Sequence, residues 1–281
     1  MTTSNVWFIT GASKGFGREM TAQLLQAGHR VAATSRTLAG LQRAIGETGN
    51  NFLPLEVDLA SESSINEAID ATLDRFGRID VVVNNAGYGQ LGSLEELSAT
   101  EARQNFDVNV FGTLNVIRQV MPQLRKQGSG HIVNFSSIAG INGGFPGWGI
   151  YCATKFAVEG LSESLAAEVK PFGIKVTVVE PGYFRTDFLS GDSLNLPNDP
   201  LEVYTEVREG EALHTDQIRG NQPGDPVKAV AAVIDMVASE NPPLHLLLGT
   251  DAYAMTEQKI AALQQDMEAW KSVSLSTDFA S

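Results

Sequence analysis

The sequence predicts an α/β fold: a doubly wound sheet of seven mostly parallel strands with helices on both faces, in one domain spanning residues 1–281. Three observations carry that expectation. Short β-branched runs alternate with segments of helical period from one end to the other, the pattern of repeated βαβ units. Most of the runs are continuously apolar, as strands covered on both faces by helices are. A length of 281 residues, 43% of them hydrophobic, supplies one substantial core. No Pro/Gly/Ser-rich linker, low-complexity tract or repeat divides the chain.

The first strand is VWFIT from Val6, followed at once by a glycine-rich turn, TGASKGFG (Thr10 to Gly17), and a helical segment, REMTAQLLQAG. RVAATS from Arg30, FLPLEVD from Phe52 and IDVVVNN from Ile79 are the next strands. Phe106, Val110, Leu114, Ile117, Met121 and Leu124 recur at intervals of three and four, which predicts a helix ending near Pro122 and the Gly128 to Gly130 turn. HIVNFSS from His131 is the fifth strand, GIYCATKFAVEGL from Gly149 lies on a helix, and KVTVVE from Lys175 and HLLLG from His245 complete the sheet. Between Pro181–Phe184 and the helical signal near Asp225 runs a connection of about 40 residues, long for a compact domain. Over roughly 184–224 it reads either as a surface excursion with short helices or as a lid over a cleft. Within the C-terminal 251–281, Ile260, Leu263, Met267 and Trp270 recur at helical spacing, which predicts a helix packed on its own sheet, with contact to a second subunit as the alternative. The closing SLSTDFAS reads as a frayed end or a small docking arm.

Twenty Lys and Arg against 33 Asp and Glu give a formal net charge of −13. Binding to nucleic acid would lack its main attractive term, so no such partner is expected. The single cysteine, Cys152, excludes an internal disulfide framework and a Cys-rich metal site; no metal is expected. Cys152 itself is expected to be a packing residue turned away from the direction of Tyr151. No run approaches the roughly 20 apolar residues of a membrane span, and MTTSNVWFIT has neither a basic stretch nor a cleavable apolar segment. A cytoplasmic protein with no membrane partner is expected.

Glycines 11, 15 and 17 let the chain turn tightly and bring its backbone against a pyrophosphate at a helix N-terminus. Their GxxxGxG spacing differs from the GxGxxG fingerprint of the general Rossmann fold. Gly11-Ala12-Ser13-Lys14-Gly15 also matches the G-x-S-x-G nucleophile elbow, so a serine hydrolase using Ser13 is a rival, with its base drawn from His29, His131, His214 or His245. At the end of the second strand, Ala33-Thr34-Ser35-Arg36 offers no carboxylate for a ribose 2′-hydroxyl. Ser35 and Arg36, with Lys14 in the turn, suit a 2′-phosphate instead. NADP(H) is expected over NAD(H), which stays as the alternative.

Tyr151 and Lys155 stand four residues apart on a predicted helix and so share a face. A free phenol is almost wholly protonated at neutral pH; a fixed cation beside it favours phenolate, which would let Tyr151 act as general acid in a reduction and general base in an oxidation. Ser136 and Ser137 end the fifth strand, where α/β sheets place their ligands, and a hydroxyl there can donate to a carbonyl oxygen as charge builds on it.

In order and spacing these segments resemble the short-chain dehydrogenase/reductase family, in its compact single-domain form, over residues 5 to about 250. TGASKGFG is similar to the family's TGxxxGxG cofactor turn, which assigns Gly11, Ser13, Lys14, Gly15, Phe16 and Gly17 to cofactor binding. NNAG, contributing Asn85, Ala86 and Gly87, resembles the motif after the fourth strand. Asp58, with Leu59 beside it, resembles the aspartate near the adenine. Asn109 in FDVNVFG, Ser137 in NFSSIAG and the Tyr151/Lys155 pair match the family's catalytic set. Pro181, Gly182, Phe184 and Thr186 lie in its PGxxxT segment, which closes over the nicotinamide. The resemblance implies a Rossmann-type sheet in strand order 3-2-1-4-5-6-7 and hydride transfer between NAD(P) and a carbonyl or alcohol. Tyr151 would exchange the proton, Lys155 would hold the nicotinamide ribose and lower the tyrosine pKa, and Ser137 would polarise the carbonyl, with Ser136 as fallback. Asn109 would position a water through a backbone kink. The resemblance also implies homodimers or homotetramers built partly from the helices beginning near Glu101 and Tyr151. A non-catalytic NADPH-binding sensor on the same fold is the remaining alternative.

Phe145, Trp148, Tyr183, Phe184, Phe188 and Leu189 flank the expected nicotinamide site. Such an apolar wall, with Ser137 as its polar contact, suits a medium or large hydrophobic ketone, aldehyde or secondary alcohol.

Overall fold

The computed structural model describes residues 4–46, 49–190 and 193–279. The strands in chain order are β1 (Val6–Ile9), β2 (Arg30–Ser35), β3 (Phe52–Glu56), β4 (Val81–Asn84), β5 (Gly89–Gln90), β6 (Gly130–Phe135), β7 (Ile174–Pro181), β8 (Leu194–Asn195) and β9 (His245–Leu248). Seven of them pair in parallel in the order β3-β2-β1-β4-β6-β7-β9, which counted along that sheet is the expected 3-2-1-4-5-6-7. The two-residue strands β5 and β8, not anticipated, pair separately.

The helices are α1 (Gly15–Gln26), α2 (Leu38–Ile45), α3 (Glu62–Phe76), α4 (Ala99–Phe106), α5 (Gly112–Gln127), α6 (Gly149–Val169), α7 (Thr205–Ala212), α8 (Pro226–Ala238), α9 (Thr250–Ala269) and α10 (Lys271–Leu275). Alternation along β1 shows how the sheet acquires two cores. Val6 and Phe8 join Ile69, Val116 and Leu165 from α3, α5 and α6. Trp7 and Ile9 join Met20, Leu41 and Val230 from α1, α2 and α8 on the other face. The stripe from Phe106 to Leu124 does not lie on one regular helix: a wider, π-helical turn at Asp107–Phe111 separates α4 from α5. Pro122 sits inside α5 without ending it, and Gly128, at φ 65°, supplies the left-handed C-cap.

The long connection carries its own structure: a 3-10 turn at Asp187–Leu189, β8, α7 and a π-helical turn at Leu213–Ile218. Two carboxylates, Glu96 just before α4 and Glu101 in its first turn, fasten it. Glu96 accepts hydrogen bonds from the Leu201 amide at 2.7 Å and the Arg208 guanidinium at 2.6 Å. Glu101 caps α4 with Ser98 and accepts from both the backbone and side-chain nitrogens of Asn198 at 3.0 Å. Residues 191–192 of the expected lid lie outside the described residues.

The C-terminal expectation needs correction. Ile260, Leu263, Met267 and Trp270 do lie on a helix, α9 with its end, but they are 50%, 49%, 71% and 65% exposed, and Ala252 is the one buried residue of α9. The first turn is held by Asp251, whose carboxylate accepts from the Tyr183 amide at 2.6 Å, and beyond it the helix leaves the sheet. Helical spacing marks a common face without saying which surface that face meets. The closing segment expected as a frayed end or arm is exposed through Phe279, and 280–281 lie outside the described residues.

Candidate active site

The glycine turn is locked by the loop after β4. Gly11 has φ 69°, and a Cβ there would come within 2.7 Å of the Ala86 Cα. The Asn85 side chain donates to the Thr10 and Gly11 carbonyls at 3.0 Å, and Thr10 Oγ1 accepts from the Asn85 and Ala86 amides at 3.1 Å. Lys14 occupies the N-cap of α1; its ammonium can only donate and so cannot cap the first-turn amides, which a helix N-terminus offers to an anion.

A cavity of about 590 Å³ runs from this turn to the ends of β6 and β7, within the roughly 300–1,000 Å³ of small-molecule and cofactor sites. Its wall includes Gly11, Ser13, Lys14, Gly15, Phe16, Ser35, Arg36, Asp58, Leu59, Asn85, Ala86, Gly87, Pro181, Gly182, Phe184 and Thr186. Ser35 is half-buried and Arg36 exposed at the rim. Two expected residues are placed differently. Gly17 is not in the wall; a Cβ there would meet the Gly11 carbonyl oxygen at 2.4 Å and Asn85 Nδ2 at 2.6 Å, so its glycine serves the close packing of α1 on the turn. Asn109 lies behind Gly87, where its amide donates to the Tyr88 carbonyl and the Thr154 hydroxyl at 3.0 and 3.1 Å and its oxygen accepts from the Tyr88 amide at 3.0 Å. A π-helical turn carries it, and its side chain holds protein rather than facing the cavity.

Tyr151 and Lys155 both reach the wall from one face of α6, and both are buried. The Lys155 ammonium donates to the Phe135 carbonyl at 2.9 Å. Burial pushes the Lys155 pKa down to about 8, with the charge of Glu159 acting the other way. Burial also pushes the Tyr151 phenol well above its ordinary value; interaction with the Ser137 side chain opposes the rise. The two serines separate: Ser137 is half-buried and accepts from the Ala139 amide at 3.1 Å, whereas Ser136 is buried and its hydroxyl donates to the Lys155 carbonyl at 3.4 Å.

Beyond Tyr151 the wall is aromatic. Trp148 meets it edge-on at 5.4 Å and Phe188 lies 5.7 Å away, with Phe145, Tyr183 and Leu189 alongside. Gly89 makes room for this cluster, since a Cβ there would stand 3.0 Å from Trp148 and 3.2 Å from Phe188. Cys152 is buried among Leu91, Trp148 and Leu194 and is absent from the wall.

A further polar wall residue was offered by the sequence only as a possible base for the hydrolase. His214, from the long connection, packs on Trp148 at 5.0 Å and its Nε2 lies 3.0 Å from the Tyr183 hydroxyl. Its only sequence signal is that it is one of four histidines. The hydrolase arrangement does not assemble: His29, His131, His214 and His245 are engaged with Asn5, Thr177, Tyr183 and Glu180, and none pairs with Ser13 among the described residues.

This geometry has close counterparts. The short chain dehydrogenase family model matches residues 5–195. A short-chain dehydrogenase from Streptomyces avermitilis superposes with a TM-score of 0.89 at 38% identity, covering 99% of this chain and 100% of that one. The 3-ketodihydrosphingosine reductase of Bacteroides thetaiotaomicron is 38% identical over 86% of each chain. The 3-ketoacyl-(acyl-carrier-protein) reductase of Brucella melitensis, solved with NADH, is 26% identical with a TM-score of 0.72, covering 87% of this chain and 96% of that one. The chain belongs to the short-chain dehydrogenase/reductase family and is an NAD(P)-dependent oxidoreductase.

Proposed function

We propose that the protein is an NADP(H)-preferring carbonyl reductase and alcohol dehydrogenase acting on a hydrophobic ketone or aldehyde, or the corresponding alcohol, with Tyr151 as general acid and base. The observation that carries this reading is that Tyr151, Lys155 and Ser137 converge on one cavity whose far end is the glycine turn and whose near end is aromatic. The dinucleotide, when bound, supplies or accepts the hydride. The protein's part is to bind, orient and move a proton. Ser137 donates to the carbonyl oxygen, Tyr151 gives it a proton during reduction, and the Lys155 ammonium stabilises the phenolate left behind.

The cradle supports a dinucleotide because the Gly11 approach to Ala86 admits no side chain and the amides of α1 suit a pyrophosphate. Ser35 and Arg36 at the end of β2 support the preference for a 2′-phosphate. For the substrate, the hydrogen bonds of His214 add a polar mark to the apolar wall. Its Nδ1 faces the Gly210 carbonyl at 2.6 Å and must donate, so Nε2 accepts the Tyr183 proton. The Tyr183 oxygen is left as an acceptor, which favours a substrate that carries a hydroxyl or N–H remote from its carbonyl.

We further propose a homo-oligomer in the cytoplasm. Phe111 and Phe156, on the helical stretches implied to meet a partner, are 50% and 43% exposed, and no helix of the described residues is long and apolar enough to cross a membrane. The test of the catalytic reading is NADPH consumption with a panel of hydrophobic carbonyls. Turnover that follows carbonyl and enzyme concentration supports it; tight NADPH binding with no carbonyl reduced favours the sensor.

A further inference from the structure

Behind the catalytic lysine lies a second cluster of ionisable groups that the reaction does not use. Glu159 follows Lys155 by one turn of α6, and Glu180 is the residue of β7 just before Pro181-Gly182. Both are buried, Glu180 completely. His245, at the start of β9, closes the group: its Nδ1 lies 2.7 Å from Glu180 Oε1 and 3.7 Å from Glu159 Oε2. One ligand-type atom from each of the three residues falls within 4.8 Å of the others. The Ser136 hydroxyl stands beside Glu159, and the absent side chain of Gly140 makes this possible, since a Cβ there would be 2.4 Å from Ser136 Oγ and 2.8 Å from Glu159 Oε1.

Apart from the Ser136 hydroxyl beside Glu159, neither Glu159 oxygen nor Glu180 Oε2 has a hydrogen-bond donor from elsewhere among the described residues. Two adjacent carboxylates, both ionised and both dry, would be left with repulsion and unsatisfied lone pairs. One proton removes both difficulties, because a protonated carboxyl donates to its ionised neighbour. Desolvation accordingly holds both acids well above the ordinary carboxylate range.

We propose that Glu159 and Glu180 share a single proton behind the active site, and that the pair is a positioning group for Lys155: by releasing that proton as the medium turns alkaline, it keeps the Lys155 ammonium charged. The charged groups facing the pair are Lys155 and Glu163 on α6 and His245 on β9. Lys155 is desolvated and loses its proton easily, and the negative charge of Glu159 opposes that loss. As the pair goes from one negative charge to two, the field at Lys155 strengthens over the pH range where the ammonium is most at risk. The released proton has a route through His245, which is 43% exposed and whose Nε2 faces Glu163. The inference rests on the proposed function only in giving Lys155 a role in the reaction.

The test titrates Lys155 directly in the folded protein without ligand, using ε-¹³C-labelled lysine and NMR, with the resonance assigned by Lys155→Arg. Glu159→Gln keeps the shape and removes the charge, and its Lys155 midpoint is expected to fall by about one pH unit relative to wild type. Glu180→Gln, which leaves Glu159 with an uncharged partner, is the second variant; Glu159 then ionises at lower pH, so the step in the Lys155 environment that follows the pair's proton release is expected to move to lower pH. A Lys155 midpoint unchanged in Glu159→Gln overturns the proposal, as does a Lys155 titration curve identical in wild type and Glu180→Gln. Thermal stability against pH reads the pair itself. Acids whose folded pKa is raised contribute stability at low pH that is lost as pH climbs through their folded values, so wild type is expected to lose stability on going from acid to mildly alkaline medium, and Glu159→Gln to lose less. A stabilisation by Mn²⁺ or Zn²⁺ that Glu180→Gln abolishes overturns the proposal in favour of a metal site. All of these readings are independent of turnover; failure to bind NADPH or reduce any carbonyl counts against the proposed function alone.

Discussion

The Lys155 ammonium stands 5.7 Å from the centre of the Tyr151 ring while its hydrogen bond goes to the Phe135 carbonyl, not to the phenol. In the proposed mechanism the lysine would therefore act on the tyrosine as a nearby charge rather than through a hydrogen bond. In the free protein burial outweighs the opposing Ser137 interaction, and the phenol is held high. Lowering it toward neutrality requires further positive charge in the cavity, which is what an oxidised nicotinamide brings.

Because burial brings the Lys155 pKa to about 8, the group is cationic below that pH and neutral above it. NADPH affinity is expected to be flat below about pH 7 and to weaken as pH rises through 8, as the ammonium proposed to hold the ribose is lost. Fluorescence titrations across pH 6 to about 9.5 check this; affinity independent of pH over that range contradicts it.

Arg36 and Ser35 are expected to decide the cofactor. Replacing Ser35→Asp and Arg36→Leu together removes the cation and places a carboxylate where a 2′-phosphate would sit, a loss of about 10 to 100-fold in NADPH affinity with NADH affinity kept or improved. An unchanged ratio of the two affinities would place the 2′-phosphate elsewhere.

The Tyr183–His214 pair is expected to discriminate between substrates. Tyr183→Phe removes an acceptor from an otherwise apolar wall, so KM should rise several-fold for carbonyl compounds bearing a remote hydroxyl and stay nearly level for their hydroxyl-free analogues. Equal effects on both kinds of compound would reduce Tyr183 to a packing residue.

For assembly, Phe111→Asp with Phe156→Asp introduces charge at two exposed aromatic positions that touch no core. The folded variant is expected to sediment at a lower mass than wild type. Identical masses move the interface elsewhere, with the exposed apolar face of α9 the next surface to test.

Much of the site could be read from the chain because its chemistry depends on local spacing. Tyr151 and Lys155 meet through one turn of α6, and Gly11 and Gly15 act through the backbone of a single turn, so four residues of sequence carry the geometry. Other features depend on contacts between distant segments. Gly17 reads as another cofactor glycine until its neighbours, the Gly11 carbonyl and Asn85, are seen. Asn109 looks like a residue facing the site, yet the π-helical turn directs its amide onto Tyr88 and Thr154. His214 comes to Trp148 from a long connection that the Glu96 and Glu101 carboxylates fasten, a contact between distant segments. Glu159 and Glu180 meet through the packing of α6 on β7, which neither segment signals alone. For α9, periodicity identified the helix and its apolar face, but that face turns to solvent because only the first turn is anchored, through Asp251.

The central claim is that Tyr151 moves the proton in an NADPH-dependent reduction. Its most direct test is single-turnover oxidation of NADPH by a reactive hydrophobic carbonyl in wild type and Tyr151→Phe, with NADPH affinity measured on the same preparations. The account predicts a fall in the rate of about 10² to 10⁴-fold with affinity changed by less than about threefold, since the hydroxyl serves the chemistry and not the binding. A Tyr151→Phe protein that oxidises NADPH at close to the wild-type rate would contradict it.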